Sequence, residues 1–269
     1  MRESVPCEFP AGYDGPAILE RLGQVLDPEL DESILDLGFV ISLQLRSGHA
    51  SVALQLPTSW CAVNFAYLMA EDVRRALLTV AGIRQVTVCL GDHCAAEEIE
   101  TAVNNGRPFA EVFPGEGAGS LAALRLTFLC KGFLSRQERL LRELREAGCS
   151  PAVICALRLG DILVRDGTFL VGQPDSIPVE SGSAAILQRY LERRGELGLD
   201  CSPAAPLIVD TQGEKLSAEQ LVAHYEAART VRVAMEANGS FCRAVLATRR
   251  LSAPEPSSHS DAGGIHVPP

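Results

Sequence analysis

Between residues 39 and 90 the spacing of apolar residues changes twice, and no other feature constrains the fold as tightly. Phe39 to Leu45 and Ala50 to Leu56 alternate, with Val52, Leu54 and Leu56 on one side and turn residues Arg46-Ser47-Gly48-His49 between them. Ala62 to Val80 instead repeats Phe65, Met69, Val73, Ala76 and Val80 at helical spacing, with Glu71, Asp72, Arg74 and Arg75 on the other side. Gly82 ends that run, and Arg84 to Leu90 returns to alternation through Val86 and Val88. A two-residue and a 3.6-residue repeat cannot be exchanged without turning apolar side chains to water. The stretch therefore predicts strand, strand, helix, strand. Ala17 to Leu26, with Ile18, Leu22 and Val25 on one face, predicts a leading helix that Pro28 stops. The fold class is α/β (α+β): a small three-stranded sheet with flanking helices, followed by a mainly helical second domain.

The second domain is read from the same signals. Glu97 to Val103 predicts a short helix, and Phe113 to Gly119 carries three glycines and a proline, marking the boundary. Helices are expected over Leu121 to Ala147, Pro151 to Leu157, Ala184 to Leu197 and Ser217 to Ala228. Val231 to Arg250 predicts another, broken near Asn238-Gly239. Asp166-Gly167 centres a hairpin over Ile162 to Val171, and Leu207 to Val209 reads as a short strand. The domains are thus 16–112 and 120–250, with a Pro-, Ser-, Gly- and His-bearing tail over 251–269 expected to be disordered.

Composition excludes several functions. Acidic residues outnumber basic ones, 34 to 24, for a net charge of -10, which argues against a nucleic-acid or anionic-membrane surface. Aromatic residues, at 5%, are not interleaved with basic ones as stacking on single strands requires. No apolar run reaches the roughly 20 residues of a membrane helix, and the polar start Met1-Arg2-Glu3-Ser4 does not read as a signal peptide. Nine cysteines, an odd number without any C-x-x-C, fit neither a secreted disulfide framework nor a zinc knuckle. Cys89, Cys130, Cys155 and Cys242 fall at apolar positions of periodic segments and read as packing residues. Walker loops, G-x-G-x-x-G, G-x-S-x-G and H-E-x-x-H are all missing.

Cys61 differs from the other thiols. It ends Thr58-Ser59-Trp60-Cys61, just ahead of the strongest helix pattern, where helix amides favour an anionic sulfur. It could hold iron, a cluster or a persulfide, or it could simply support its loop. Asp27 and Glu29 offer hard oxygen ligands, although Asp27 equally suits a turn cap. His93 and Cys94, beside Asp92 after the third strand, are a further candidate metal pair, which only a turn could aim at one ion. Arg136, Arg139, Arg142 and Arg145 alternate with acidic residues and read as a solvated or docking face.

Four motifs stand in order: Asp27-Pro28-Glu29, Asp36-Leu37-Gly38-Phe39-Val40, Thr58-Ser59-Trp60-Cys61 and Gly82-Ile83-Arg84-Gln85-Val86-Thr87-Val88. Together, over residues 16–92, they resemble the iron–sulfur cluster assembly protein family that includes PaaD and SufT. Two positions depart from that pattern: Ala62 stands where the family usually has proline, and Trp60 enlarges a loop that is usually small. Residues after about 120 have no counterpart in those small proteins. Their order of elements faintly resembles the tyrosine recombinases, but only Arg158 matches a catalytic position.

The resemblance implies a non-enzymatic, cytoplasmic maturation factor that handles iron or an iron–sulfur cluster transiently. Cys61, Asp27 and Glu29 would be its cofactor-binding residues, and Cys61, His93 and Cys94 its metal set. Its partners would be a client apo-metalloenzyme, in the family's pathways an oxygenase, and other cluster-assembly factors, with no membrane or nucleic acid; a homodimer stays open. A metal-free adaptor and a Cys61 thiol enzyme are the alternatives, the latter needing a general base in reach.

Overall fold

The computed structural model describes residues 9–115, 121–172, 179–252 and 264–265. The architecture is mixed α+β, as the periodicity predicts. The chain divides into two compact units, Met1–Ala123 with Ala237–Pro269, and Leu124–Glu236. Among the described residues no helix is long and apolar enough to cross a membrane.

The first unit opens with α1 (Gly15–Gly23), capped by the Asp14 carboxylate on the Ala17 N–H and started by a proline in its first turn. The helix ends earlier than expected. The Gln24 N–H closes on the carbonyls of Glu20 and Arg21, and Val25 leaves to accept a bond from the Ile34 N–H. Two short antiparallel strands follow, β1 (Leu26–Asp27) and β2 (Glu32–Ser33). Next come β3 (Val40–Arg46) and β4 (His49–Leu54), paired antiparallel across Ser47-Gly48, both at positive φ as a two-residue hairpin turn demands. Helix α2 (Val63–Leu78) crosses over to β5 (Gln85–Leu90), which lies parallel to β4.

The core forms where the alternating and helical faces meet. Leu43, Val52, Leu54, Val88 and Leu90 from the sheet bury against Ala66, Met69, Val73 and Leu77 of α2. Helix α3 (Ala96–Asn104) and the short α4 (Phe109–Val112) complete this side. Asn104 exchanges two side-chain bonds with the Val88 backbone, and Glu100 accepts from the Leu90 N–H, so α3 satisfies the outer side of β5.

The second unit takes most of α5 (Leu121–Glu146), then α6 (Pro151–Ala156) and the antiparallel strands β6 (Ile162–Arg165), β7 (Thr168–Val171) and β8 (Val179–Ser183). Asp166 and Gly167, both at positive φ, turn β6 into β7 as expected. Helix α7 (Ala184–Glu196) and the first half of α8 (Ala218–Ser252) close the unit. Phe133, Leu140, Leu144, Ile154, Phe169, Leu187 and Tyr190 make its core. Leu207 to Val209, expected to be a strand, are buried but bridge only in isolation, through Val209 to Lys215. Arg158 is exposed, opens a 3-10 turn and donates to the Ala204 carbonyl.

The compact units differ from the expected 16–112 and 120–250 division. Helix α8 runs unbroken through Asn238-Gly239, and Leu246 and Cys242 pack on the core of the first unit. Most of the proposed boundary at 113–119 lies outside the described residues. So does most of the 251–269 tail, in which Gly264–Ile265, expected to be disordered, form β9 against β3.

Candidate functional site

The Asp27-Pro28-Glu29 triplet builds a tight turn from β1 to β2. One Asp27 carboxylate oxygen accepts from the N–H groups of Glu29, at 2.8 Å, and Leu30, at 2.9 Å. Pro28 costs no hydrogen bond at this position, because its missing N–H would have no acceptor in the turn. Asp31 follows with φ 55°, its N–H closing on the Asp27 carbonyl. Asp27 is buried, and burial pushes its carboxyl up to about 6 despite the two backbone donors; Glu29 and Glu32 push the same way. Asp27 thus acts as a turn cap, and one whose proton comes off about two pH units later than that of an ordinary carboxyl. Glu29 keeps its carboxylate at the surface of the turn, where Asn238 donates to it at 3.3 Å.

Beyond β4 the chain makes the Thr58–Cys61 loop. The Cys61 N–H bonds to the Thr58 carbonyl, and the Thr58 hydroxyl lies 3.2 Å from the Cys61 sulfur. Ala62 caps α2 without a side-chain bond, so the first turn carries no competing side-chain acceptor from that position. Cys61 is half-buried, whereas Trp60 is 77% exposed at the loop's tip.

A second loop, Gly91 to Ala95, holds the first. The Ala95 N–H donates to His93 Nδ1 at 3.1 Å, which leaves Nε2 to carry the proton and donate to the Cys61 carbonyl at 2.8 Å. The Cys94 N–H adds a 2.7 Å bond to the Ser59 carbonyl. His93 is buried and both its ring nitrogens are engaged, so it works here as a clamp on the Cys61 loop. The Cys94 thiol is exposed. Among the described residues no three or more His, Cys, Asp or Glu side chains are disposed to hold a metal ion. The structure therefore ties His93 and Cys94 to the Cys61 loop through backbone bonds and does not gather the three as ligands. With one Asp27 oxygen spent on two N–H groups, what the loops offer is a half-buried thiol at Cys61, an exposed one at Cys94 and the Glu29 carboxylate at the surface of its turn.

The last turns of α8 complete the cluster, and sequence reasoning missed them. Cys242 is pushed up to about 11 by burial first, then by Asp27, Cys61 and Glu29, with Arg243 opposing. Its neighbours in sequence make the contacts. Arg243 pairs with Glu32, Arg249 with Asp92 and with the Leu56 carbonyl at 2.7 Å, and Arg250 donates to the Gly38 carbonyl. Arginines spaced along a helix gave no sign of a partner some two hundred residues earlier. Burial also raises the Cys89, Cys130 and Cys155 thiols; of the four cysteines expected to pack, Cys155 and Cys242 lie against the two cores.

Residues 16–89 match the family of iron–sulfur cluster assembly proteins. The matched stretch contains Asp27, Glu29 and Cys61 and stops short of His93, Cys94 and Cys242. It supports a role in iron–sulfur cluster assembly. No curated protein matches the chain.

Proposed function

We propose that this protein is a non-enzymatic accessory factor that helps install an iron–sulfur cluster or metal centre in a cytoplasmic client enzyme, with an oxygenase as one candidate client. Cys61 is the cargo-bearing residue, taking iron or a cluster transiently together with ligands from the client or from other assembly factors. The observation that carries this reading is the clamped loop: a half-buried thiol, held by His93 and Cys94, beside an exposed Trp60, inside the family-matched stretch. Trp60 suits a partner anchor, since exposed aromatic side chains supply much of the energy of protein interfaces. Glu29 and Asp27 shape the electrostatics around the thiol, and client selection belongs to the second unit.

Cys61→Ser tests this directly. The serine keeps the loop's size, so its melting curve should superimpose on that of the parent while client maturation in an anaerobic transfer assay is lost. Maturation at the parent rate would remove Cys61 from the mechanism. A metal-free adaptor is the second reading, favoured by the lack of a three-ligand group among the described residues. Titrating the reduced protein with ferrous iron separates the two, since an adaptor binds none. A Cys61 thiol enzyme has less support, because the base it would call on, His93, has both ring nitrogens in backbone bonds.

A further inference from the structure

The residues that α8 touches after Ala237 are not scattered over the first unit. Glu29 and Glu32 lie on the Asp27 turn, Gly38 precedes β3, Leu56 precedes the Thr58–Cys61 loop, and Asp92 precedes His93. These are the loops that carry the candidate site, and one helical stripe meets them all. Leu246 is its centre, 2% exposed in the core of the unit. Arg243 lies three residues before it, and Arg249 and Arg250 three and four after, positions that share one face of a helix.

The chemistry of the contact is general. Two of its acceptors are backbone carbonyls, Leu56 and Gly38, which any correctly spaced arginine can reach. The carboxylates are Glu32 and Asp92, and Asp92 is 60% exposed, so these ion pairs add little holding strength in water. Gly239 lets the helix come close, since a Cβ there would stand 3.0 Å from a Glu32 carboxylate oxygen. Beside the helix, Gln55, Asp92, Phe241, Val245 and Arg249 line a groove of about 580 Å³. Leu246, with Cys242 one turn before it, is what anchors the segment to the core, and the poorest helix formers of the segment, Asn238 and Gly239, stand at its start.

We propose that this face is a helix-docking surface, that residues 237–252 are its resident occupant, and that a partner's basic amphipathic helix displaces them to open the Cys61 loop. The matching pattern is an apolar residue with arginine three before it and three and four after it. Charge selects such a helix, because the surface offers the carboxylates of Glu29, Glu32 and Asp92. The inference concerns access to Cys61, whatever Cys61 carries, and stands apart from the reading above.

The test uses the full chain carrying R249E and R250E, with Arg75→Glu as an exposed charge-reversal control. Iodoacetamide labelling, followed peptide by peptide, should speed up at Cys61 by about fivefold or more in the double variant, as an opened segment exposes what it covered. Cys94, already exposed, serves as the internal reference and should not change. A labelled synthetic peptide of residues 237–252 should bind the double variant about tenfold tighter than the parent, which its own helix blocks. The same peptide with its three arginines reversed to glutamate should bind neither. Unchanged Cys61 labelling in a double variant of native helicity overturns the proposal, as does equal peptide binding to both proteins. A parent that exchanges this segment between two copies, seen as a dimer dissolved by the same substitutions, would assign the face to a second copy and overturn the partner assignment.

Discussion

The two units bury polar side chains in opposite ways. In the first unit Asp27, Asp31, Ser33 and His93 are buried in turns or at the ends of two-residue strands; Asp27 and Ser33 accept from backbone N–H groups two or three residues on, and His93 joins its own loop to the Cys61 carbonyl. In the second, the buried polar residues Ser135, Arg136, Gln137, Glu138 and Arg194 all sit on helices. Arg194, 1% exposed, donates to the carbonyls of Asp200, Pro206 and Leu207 and to the Tyr190 hydroxyl, which in turn donates to Leu207. Gln137 joins Tyr190, the Val209 carbonyl and His224, and Glu138 pairs with Arg232. The loop groups fix where a thiol and a tryptophan stand. The helix groups fix how helices and an irregular segment pack, since each demands one particular set of acceptors.

That contrast can be broken most sharply at Arg194. Replacing it by methionine takes the donor from the part-buried Pro206 and Asp200 carbonyls and one of two donors from Leu207, and should cost about 3 kcal/mol or more in urea denaturation. Cys61 labelling below the transition should stay at the parent rate. A loss under about 1 kcal/mol would show that the network adds little beyond packing. His93→Ala comes next, at about 1–3 kcal/mol, because it frees the Cys61 carbonyl and the Ala95 N–H inside the protein. Hydrogen exchange at Ala95 and Cys94 should then quicken, and unaltered protection at both would deny His93 its role as a clamp.

Asp27 gives an effect no larger than that of His93, and one with a defined sign. Its carboxyl is raised from 3.8 to about 6, so the folded state holds the proton more tightly than the unfolded chain. Stability from this group is therefore greatest below pH 4 and declines as pH rises through 6. Asp27→Asn keeps an oxygen for the Glu29 and Leu30 N–H groups and carries no charge. At pH 7.5 the variant should be more stable than the parent by about 1–3 kcal/mol, and near pH 4 the two should agree. Parallel stability curves from pH 4 to 7.5 would mean that burial does not govern this carboxyl.

The first unit was the more legible because its signals are local. Alternation over 39–56, the helical repeat from Phe65 and the turn residues Ser47-Gly48 each specify structure within a few positions. The cap role of Asp27 was legible for the same reason, since the N–H groups that donate to it lie two and three residues on. His93 was read as a ligand because an imidazole next to a thiol looks alike in sequence whether or not its nitrogens are taken. Its acceptor, the Cys61 carbonyl, is a backbone group and leaves no mark on residue identity. Asn238-Gly239 predicts a break because propensity disfavours glycine inside a helix, yet the helix runs on through both residues, carried by the packing of Cys242 and Leu246 that follows. Leu207 to Val209 looked like a strand because burial on all sides and strand pairing both select apolar residues.

The bonds from Asn104 and Glu100 to the Val88 and Leu90 backbone have a consequence for assembly. A row of open N–H and C=O groups invites an edge-to-edge match with another chain. Here one margin of the sheet is closed by side chains of α3, and the other, along β3, is met by Gly264–Ile265. Strand addition would have to evict one or the other. Copies of this protein are thereby hindered from pairing edge to edge through β5, and through β3 at Leu43 and Gln44.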